Sequence, residues 1–209
     1  MPRFTGSSGE MMTRADRIVK RLFDMGLAAV GLGLIGWLIL LAWLIASLET
    51  RGNGMFVQTR IGRGGVPFRL LKIKTMTDAD GDASTVTVAG DRRITRSGRF
   101  FRRTKIDELP QLINILLGEM SFVGPRPDVP GYADRLEGEA RELLSVRPGL
   151  TGPATLKYRD EERMLADAED PKTYNDTVIW PDKVRMNLDY VTHWSFGKDL
   201  YYLYKTVAG

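Results

Sequence analysis

The 209-residue chain contains no cysteine and a single histidine, His193. The lack of cysteine excludes disulfide bonds, thiol nucleophiles and cysteine metal sites, and one histidine cannot form a histidine cluster by itself. Any metal bound here must be a hard cation held by carboxylates and phosphates. The length fits one domain, with or without a membrane element, and is too short for two independent domains.

A large excess of charge of either sign is also missing, since 30 Lys and Arg residues face 26 Asp and Glu residues, for a formal net charge of +4. The basic residues are nevertheless concentrated in residues 60–105, whereas residues 160–170 are mostly acidic. A basic concentration of this kind indicates a phosphate-bearing partner, which is a nucleic acid, a lipid headgroup or a nucleotide. The acidic stretch predicts a solvated helix face.

Residues 25–48 form a run of 24 residues without a charge. A helix of this length reaches about 36 Å, enough to cross a hydrocarbon core of about 30 Å. Basic residues flank both ends, so a simple crossing would leave one basic flank on the wrong side of the membrane. We therefore expect a re-entrant helix that bends at Gly31, Gly33 and Gly36 and leaves both flanks in the cytoplasm. The glycines could equally form a close-packing face for another helix, and a buried helix of a soluble core is the remaining alternative.

Beyond this segment, residues 55–61 and 68–76 have the pattern of two strands joined by a glycine turn at 62–65, which predicts a β-hairpin. Its second strand alternates apolar residues with basic ones, whose side would face solvent, headgroups or a ligand: Arg69, Lys72 and Lys74. Residues 77–90 are small and polar and predict a mobile loop. Its aspartates, Asp78, Asp80 and Asp82, are spaced like the start of an EF-hand loop, but Ala89 stands where the closing Glu is required.

Two adjacent carboxylates, Asp107 and Glu108, precede a short apolar helix predicted for residues 109–117 and ended by Gly118. Pro110 marks the first turn, so both carboxylates are expected at the helix N-terminus. There Asp107 could be an ordinary helix cap, or the pair could take part in chemistry on phosphates, with one carboxylate as a nucleophile and the other holding Mg²⁺.

Two Gly- and Pro-rich turns each present one arginine, Arg126 in SFVGPRP and Arg147 in VRPGLTGP. A rigid turn carrying an arginine suits bidentate recognition of phosphate, although such turns are also common without any ligand. The tail, residues 187–207, is rich in Tyr and Trp and predicts either a helix in the membrane interface or a packed C-terminal helix.

These segments together resemble one family. The stretches KRLFD, FRLLKIKTM, DRRITRSGRFFRRTKIDELPQLINILLGEMSFVGPRP, VRPGLTGPA and DYVTHWSFGKDLYYLYKTV are similar to the bacterial sugar transferases, the monotopic phosphoglycosyl transferases that start glycoconjugate assembly. The resemblance extends from about residue 20 to residue 207 and leaves out the first 19 residues.

The resemblance implies transfer of a sugar phosphate from a UDP-sugar to polyprenol phosphate at the cytoplasmic face of the bacterial inner membrane, giving polyprenyl diphosphate sugar and UMP. It assigns Asp107 as the nucleophile that forms a covalent phosphosugar intermediate and Glu108 as the neighbouring ligand of Mg²⁺. Arg126 would hold substrate phosphate, with Arg103 and Lys72 as further candidates. The expected reaction is the first membrane step of O-antigen, capsule, exopolysaccharide or glycoprotein assembly.

The sequence departs from the family pattern at two places. Gly36 and Trp37 occupy the positions where family members carry the Ser-Pro pair that breaks the re-entrant helix, so any bend must come from glycines. The usual ITGWAQV is LTGPATL, with Pro153 in place of the Trp. The donor sugar therefore cannot be carried over from the family.

The expected fold is a mostly helical α+β monotopic membrane protein with a re-entrant helix, interfacial amphipathic helices and a small basic hairpin. The expected parts are an N-terminal extension (1–19), the membrane helix (20–50) and a cytoplasmic catalytic domain (51–209). Two other functions remain as alternatives: an inactive membrane scaffold within a glycan assembly complex, and a module that binds anionic lipid or nucleic acid through the basic run. The enzyme hypothesis includes no nucleic acid. It leaves a homodimer open, because small membrane-bound enzymes often associate, although no residues indicate a seam.

Overall fold

A computed structural model describes residues 12–77 and 93–208 of the protein. Most of the predicted N-terminal extension lies outside the described residues. The predicted mobile loop, with Asp78, Asp80 and Asp82, also lies outside them from residue 78 onward.

Helices dominate the described part of the chain. The α-helices are α1 (Arg14–Thr50), α2 (Arg96–Thr104), α3 (Gln111–Leu117), α4 (Pro153–Lys157), α5 (Glu161–Ala166), α6 (Pro171–Tyr174), α7 (Trp180–Thr192) and α8 (Phe196–Ala208). Short 3-10 segments cover Arg63–Gly65, Ile106–Glu108, Ala133–Arg135 and Gly138–Ser145, and a π-helical turn, Asn175–Ile179, leads into α7.

Four strands form two small sheets in the same residues: β1 (Met55–Ile61), β2 (Pro67–Ile73), β3 (Ser121–Val123) and β4 (Gly149–Thr151). β1 and β2 are the predicted hairpin, with Met55 opposite Ile73. β2 ends before the predicted boundary, because Met76 makes only an isolated bridge with Ile94. β3 and β4 pair in parallel. The mostly helical α+β class is confirmed.

Helix α1 is a single helix of 37 residues that begins at a capping box formed by Thr13 and Asp16. The capping box satisfies free N–H groups at the helix start. The helix continues through Gly31, Gly33 and Gly36, and the re-entrant topology remains a prediction. Gly31 fits the close-packing alternative, since a Cβ atom there would lie 3.3 Å from Leu112 Cδ1.

The two faces of α1 differ in residue size. Small residues, Ala28, Ala42 and Ala46, are buried against the rest of the protein, whereas Leu34, Trp37 and other large apolar residues are exposed. Only 17% of its most apolar 18-residue window is buried. A core helix of a soluble protein would bury this surface, so the soluble-core alternative is wrong. The exposed apolar face indicates association with a membrane.

The buried face of α1 holds the elements that carry the candidate site. Leu70 of β2 and Leu112 and Ile115 of α3 join Ala28 in one buried cluster. A second cluster packs Ile73 of β2 and Phe101 of α2 on α1 through Ile39, Ala42 and Ala46. Each fully buried Leu or Ile contributes about 1.5–3 kcal/mol. The end of β2 is therefore fixed next to the turn that precedes α3.

The two Gly- and Pro-rich turns meet backbone to backbone. A Cβ atom on Gly149 would lie 2.1 Å from the backbone nitrogen of Gly124, a distance that no side chain can occupy. Gly149 N donates to Pro125 O at 2.8 Å. The glycines of SFVGPRP and VRPGLTGP thus allow the turn after β3 and the turn before β4 to share one junction.

The aromatic tail is partly packed and partly exposed. Tyr190 is buried beside Val123, and Tyr202 packs against the same cluster, whereas Tyr204 on α8 is exposed. Asp199 is buried, accepts a hydrogen bond from Tyr190 Oη at 2.6 Å, and pairs with Lys20 Nζ at 2.5 Å. This ion pair ties α8 to the start of α1. The packed-helix interpretation therefore holds for the inner aromatic residues.

Candidate active site

The chain turns sharply before the two carboxylates. Lys105 follows α2 with a left-handed backbone (φ 58°), and Ile106–Glu108 forms a separate 3-10 turn. α3 begins only at Gln111, and among the described residues no side chain caps it. The helix predicted for residues 109–117 with both carboxylates at its N-terminus needs correction, because Asp107 and Glu108 belong to the separate turn that follows Lys105. The helix-cap interpretation of Asp107 is also wrong.

Glu108 is held by two cations from different parts of the fold. Its Oε1 accepts hydrogen bonds from Lys72 Nζ of β2 at 3.1 Å and from Arg126 Nη2 of the turn after β3 at 2.6 Å. The Glu108 side chain is 11% exposed, and that of Arg126 is 40% exposed. Burial opposes ionisation of Glu108, but the charges of Arg126 and Lys72 outweigh it and hold its pKa well below the ordinary value. Glu108 is therefore a permanent anion.

Asp107 is in the opposite situation. It is 8% exposed, and its Oδ1 is buried without a hydrogen-bond partner in the described residues. Burial raises the pKa of this carboxyl; Lys72 lowers it, and the negative charge of Glu108 raises it again. An unpartnered buried polar atom costs about 1–3 kcal/mol and is uncommon in native proteins. The lone pairs of this oxygen are not engaged by the protein, as a nucleophile requires once substrate gains access to it.

The structure brings four of the six predicted residues together: Asp107, Glu108, Lys72 and Arg126. Arg103 on α2 is exposed. The α2-end cations whose charges lower the pKa of Asp107 are instead Lys105 and Arg102. Arg147 lies outside this group of residues. Its Nε donates to Gly118 O at 2.7 Å, and its side chain lines a separate cavity.

Two residues near Arg126 were not selected from the sequence. Arg60, at the end of β1, donates from Nη1 to Pro127 O at 3.1 Å. Burial raises the pKa of Asp128 to about 6, although the charges of Lys183 and Arg60 oppose it. Asp128 and Arg126 line the same cavity. Asp128 directly follows the GPRP turn in sequence, and this position is the feature by which it could have been selected as a candidate site residue.

The site suits a cation that takes most of its ligands from substrate. No group of three metal-ligating side chains occurs within residues 12–77 and 93–208. The hydrogen bonds from Lys72 and Arg126 both go to Oε1 of Glu108, so neither of them uses its other carboxylate oxygen. Mg²⁺ is commonly held by one or two carboxylates together with substrate phosphates and water. Glu108, with the neighbouring unpartnered oxygen of Asp107, fits that donor set.

The site combines a buried pair of carboxylates with the cationic side chains of Lys72 and Arg126, and the protein has an exposed apolar helix. This combination fits an enzyme that acts on phosphates at a membrane. The chain belongs to the bacterial sugar transferase family, whose model matches residues 15–209. It is therefore a transferase, and the predicted family is confirmed.

Curated relatives cover most of this chain. A UDP-glucose:undecaprenyl-phosphate glucose-1-phosphate transferase of Caulobacter vibrioides is 38% identical over 193 residues, which are 90% of this chain and 68% of the relative. The exopolysaccharide production protein ExoY of Rhizobium meliloti is 31% identical over 206 residues, 91% of this chain and 84% of the relative. A UDP-N-acetylgalactosamine-undecaprenyl-phosphate N-acetylgalactosaminephosphotransferase of Aeromonas hydrophila is 31% identical over 193 residues, 90% of this chain but 43% of the relative. The names of these relatives therefore include two different donor sugars, glucose and N-acetylgalactosamine.

Proposed function

We propose that this protein transfers a sugar phosphate from a UDP-sugar to undecaprenyl phosphate or a similar polyprenol phosphate, with Asp107 as the nucleophile. The observation that carries the proposal is the buried Asp107 oxygen without a hydrogen-bond partner, beside a Glu108 that two cations hold. The reactions named for the Caulobacter and Aeromonas relatives support the donor and acceptor classes.

In the first step, an oxygen of Asp107 attacks the β-phosphorus of the UDP-sugar. The bond from this phosphorus to the oxygen that bridges the two phosphates breaks, and UMP leaves with that oxygen and its electron pair. The product on the enzyme is a sugar-phosphoryl aspartate, which is an acyl phosphate. In the second step, an oxygen of polyprenol phosphate attacks the same phosphorus, frees the Asp107 carboxylate and gives polyprenyl diphosphate sugar.

The cations around Glu108 have a defined part in this chemistry. Charge accumulates on the phosphoryl oxygens during each displacement, and fixed cations lower the barrier by neutralising it. Arg126 is the better placed of the two, because its side chain is 40% exposed while one nitrogen stays anchored on Glu108. The anchor keeps the guanidinium oriented before substrate arrives, which reduces the cost of binding.

Glu108 would also hold Mg²⁺, which would supply further positive charge to the donor diphosphate. We place the reaction at the cytoplasmic face of the bacterial inner membrane, since both basic flanks of residues 25–48 favour that side. The proposal leaves the donor sugar open between glucose, N-acetylgalactosamine and others, because the relatives differ in this respect.

The test is intact-protein mass spectrometry on the wild type and Asp107→Asn, mixed with a panel of UDP-sugars and Mg²⁺ without a lipid acceptor, alongside release of UMP. Asp189→Asn serves as the control, because this exposed carboxylate lies on α7 outside the site. We expect a sugar-phosphate adduct on the wild type and the control but not on Asp107→Asn, and discharge of the adduct by polyprenol phosphate.

Equal release of UMP by Asp107→Asn would show that another group attacks the donor. Release of UMP that begins only when polyprenol phosphate is added, without an adduct, would show direct transfer in place of the covalent two-step route.

A further inference from the structure

A second basic cavity lies at the start of α1, away from Asp107 and Glu108. It is open to solvent. Its walls include Arg17 of α1, Arg63 of the turn between β1 and β2, and Arg147 of the turn before β4. Three arginines from distant parts of the sequence therefore converge on one space.

Two of these arginines are anchored in a way that leaves the ends of their guanidinium groups available. Arg63 Nε donates to Ser145 O at 2.9 Å, and Arg147 Nε donates to Gly118 O at 2.7 Å. Throughout residues 12–77 and 93–208, the terminal nitrogens of both side chains contact no hydrogen-bond acceptor. The paired terminal nitrogens of arginine match the geometry of phosphate oxygens.

The third arginine of the cavity, Arg17, has a hydrogen-bond donor that is not satisfied. Its Nε is buried and has no hydrogen-bond partner in the described part of the chain. A buried donor without an acceptor costs about 1–3 kcal/mol. A bound anion would offset the positive charge of this guanidinium.

One nearby carboxylate offsets part of the charge of the three arginines. Asp24 also lines the cavity, and its Oδ1 accepts from Phe122 N at 3.1 Å. Burial lowers the pKa of Arg147 and the charge of Asp24 raises it, whereas Lys20 in the same wall is paired with Asp199. Burial and the neighbouring charges of Arg17 and Arg147 lower the pKa of Arg63. An excess of like charge around one cavity attracts an anion.

The position of the cavity along α1 indicates where that anion resides. Arg17 lies eight residues before Met25, where the uncharged run begins, which is about 12 Å along the helix axis. Ile18 and Leu22 on this part of the helix are exposed apolar residues. The first turns of α1 therefore combine exposed apolar and basic side chains, as interfacial helices do at the depth of lipid headgroups.

We propose that this cavity binds the phosphate group of an anionic membrane lipid and thereby holds the start of α1 at the membrane surface. The site is separate from the transfer reaction, so it can be tested by binding alone. The guanidinium groups of Arg17, Arg63 and Arg147 hold the phosphate oxygens, and Ile18 and Leu22 lie toward the lipid.

The test is native mass spectrometry of the full chain released from a neutral detergent after titration with phosphatidylglycerol or phosphatidylcholine. The variants are Arg17→Gln, Arg63→Gln and, as the matched control, Arg14→Gln. Arg14 is exposed on the first turn of α1 and does not line the cavity. Arg63 is exposed on a turn, so its replacement leaves the core intact if Arg17→Gln fails to fold.

We expect the wild type to retain phosphatidylglycerol in preference to phosphatidylcholine, and each cavity variant to weaken that retention about tenfold, as loss of one charge-assisted hydrogen bond predicts. Arg14→Gln should change retention less than twofold. Equal weakening by Arg14→Gln would refute the site, because it would show general attraction to basic residues. Displacement of the lipid by an equal concentration of inorganic phosphate or UMP would also refute it, because the ligand would then be a soluble phosphate.

Discussion

Replacing Asp107 by Asn should stabilise the fold while it abolishes transfer. The carboxylate is buried, its Oδ1 has no hydrogen-bond partner in the described residues, and the charge of Glu108 is adjacent. An amide of the same shape carries no charge to desolvate. The substitution removes the buried charge but keeps a polar oxygen and adds an NH2 group, so we expect a gain of about 1 kcal/mol, which is about 2–4 °C in Tm for a protein of this size.

The gain in stability from Asp107→Asn should depend on pH. Burial raises the pKa of Asp107 above the ordinary value of 3.8, so the folded state disfavours the ionised carboxyl. The penalty is absent below pH 3.8, grows as the pH rises through the folded pKa, and is complete above it. The difference in Tm between Asp107→Asn and the wild type should therefore be largest near neutral pH and shrink toward pH 4.

Thermal unfolding in detergent at several pH values measures this difference, and Asp182→Asn is a control of opposite sign. Asp182 accepts hydrogen bonds from Lys157, Tyr158 and Arg185, and hydrogen bonds from Arg185 first and Lys157 next hold its pKa below the ordinary value. Its replacement should lower the Tm at neutral pH and have less effect in acid. An unchanged Tm for Asp107→Asn at neutral pH would refute the predicted gain, and a lower Tm would show that the carboxylate stabilises the fold.

Two further predictions concern Lys72 and the glycine junction. Lys72→Met removes a positive charge that lowers the pKa of Asp107, so the acidic limb of kcat/KM against pH should move to higher pH; an unmoved limb would mean that Asp107 does not control it. Gly149→Ala should destabilise the fold by about 3 kcal/mol or more in thermal unfolding, because its Cβ would lie 2.1 Å from the Gly124 backbone. The control is Gly33→Ala, which has no atom within 4 Å of the added Cβ and should be neutral or slightly stabilising.

The sequence was sufficient to find the carboxylate pair and Arg126, because DELPQL and GPRP are local patterns whose residues stay near their turns. It was insufficient for Arg103, since helical phase decides which of several adjacent arginines on a short basic helix faces inward. The same limit applies to Arg147. Its rigid turn was evident, but the direction of the side chain follows from a hydrogen bond to Gly118 O, which is 29 residues away in sequence.

The environment of Asp107 was also beyond sequence reasoning. The left-handed backbone of Lys105 separates α2 from the 3-10 turn that carries Asp107, whose Oδ1 has no hydrogen-bond partner in the described residues. A lysine at positive φ has no sequence signature comparable to that of glycine. Local patterns therefore identified the groups, whereas their charge states came from contacts between distant segments.

The predicted boundary at residue 50 does not coincide with a break in the packing of the protein. Lys72 reaches Glu108 because β2 and the turn before α3 are both fixed on the buried face of α1. Ile73, next to Lys72, packs against Ile39 and Ala42 of that helix. Without α1, these buried apolar residues would face water, and the distance between Lys72 and Glu108 would no longer be fixed. The membrane helix is thus part of the core that orders the candidate active site, in addition to being the contact with the bilayer.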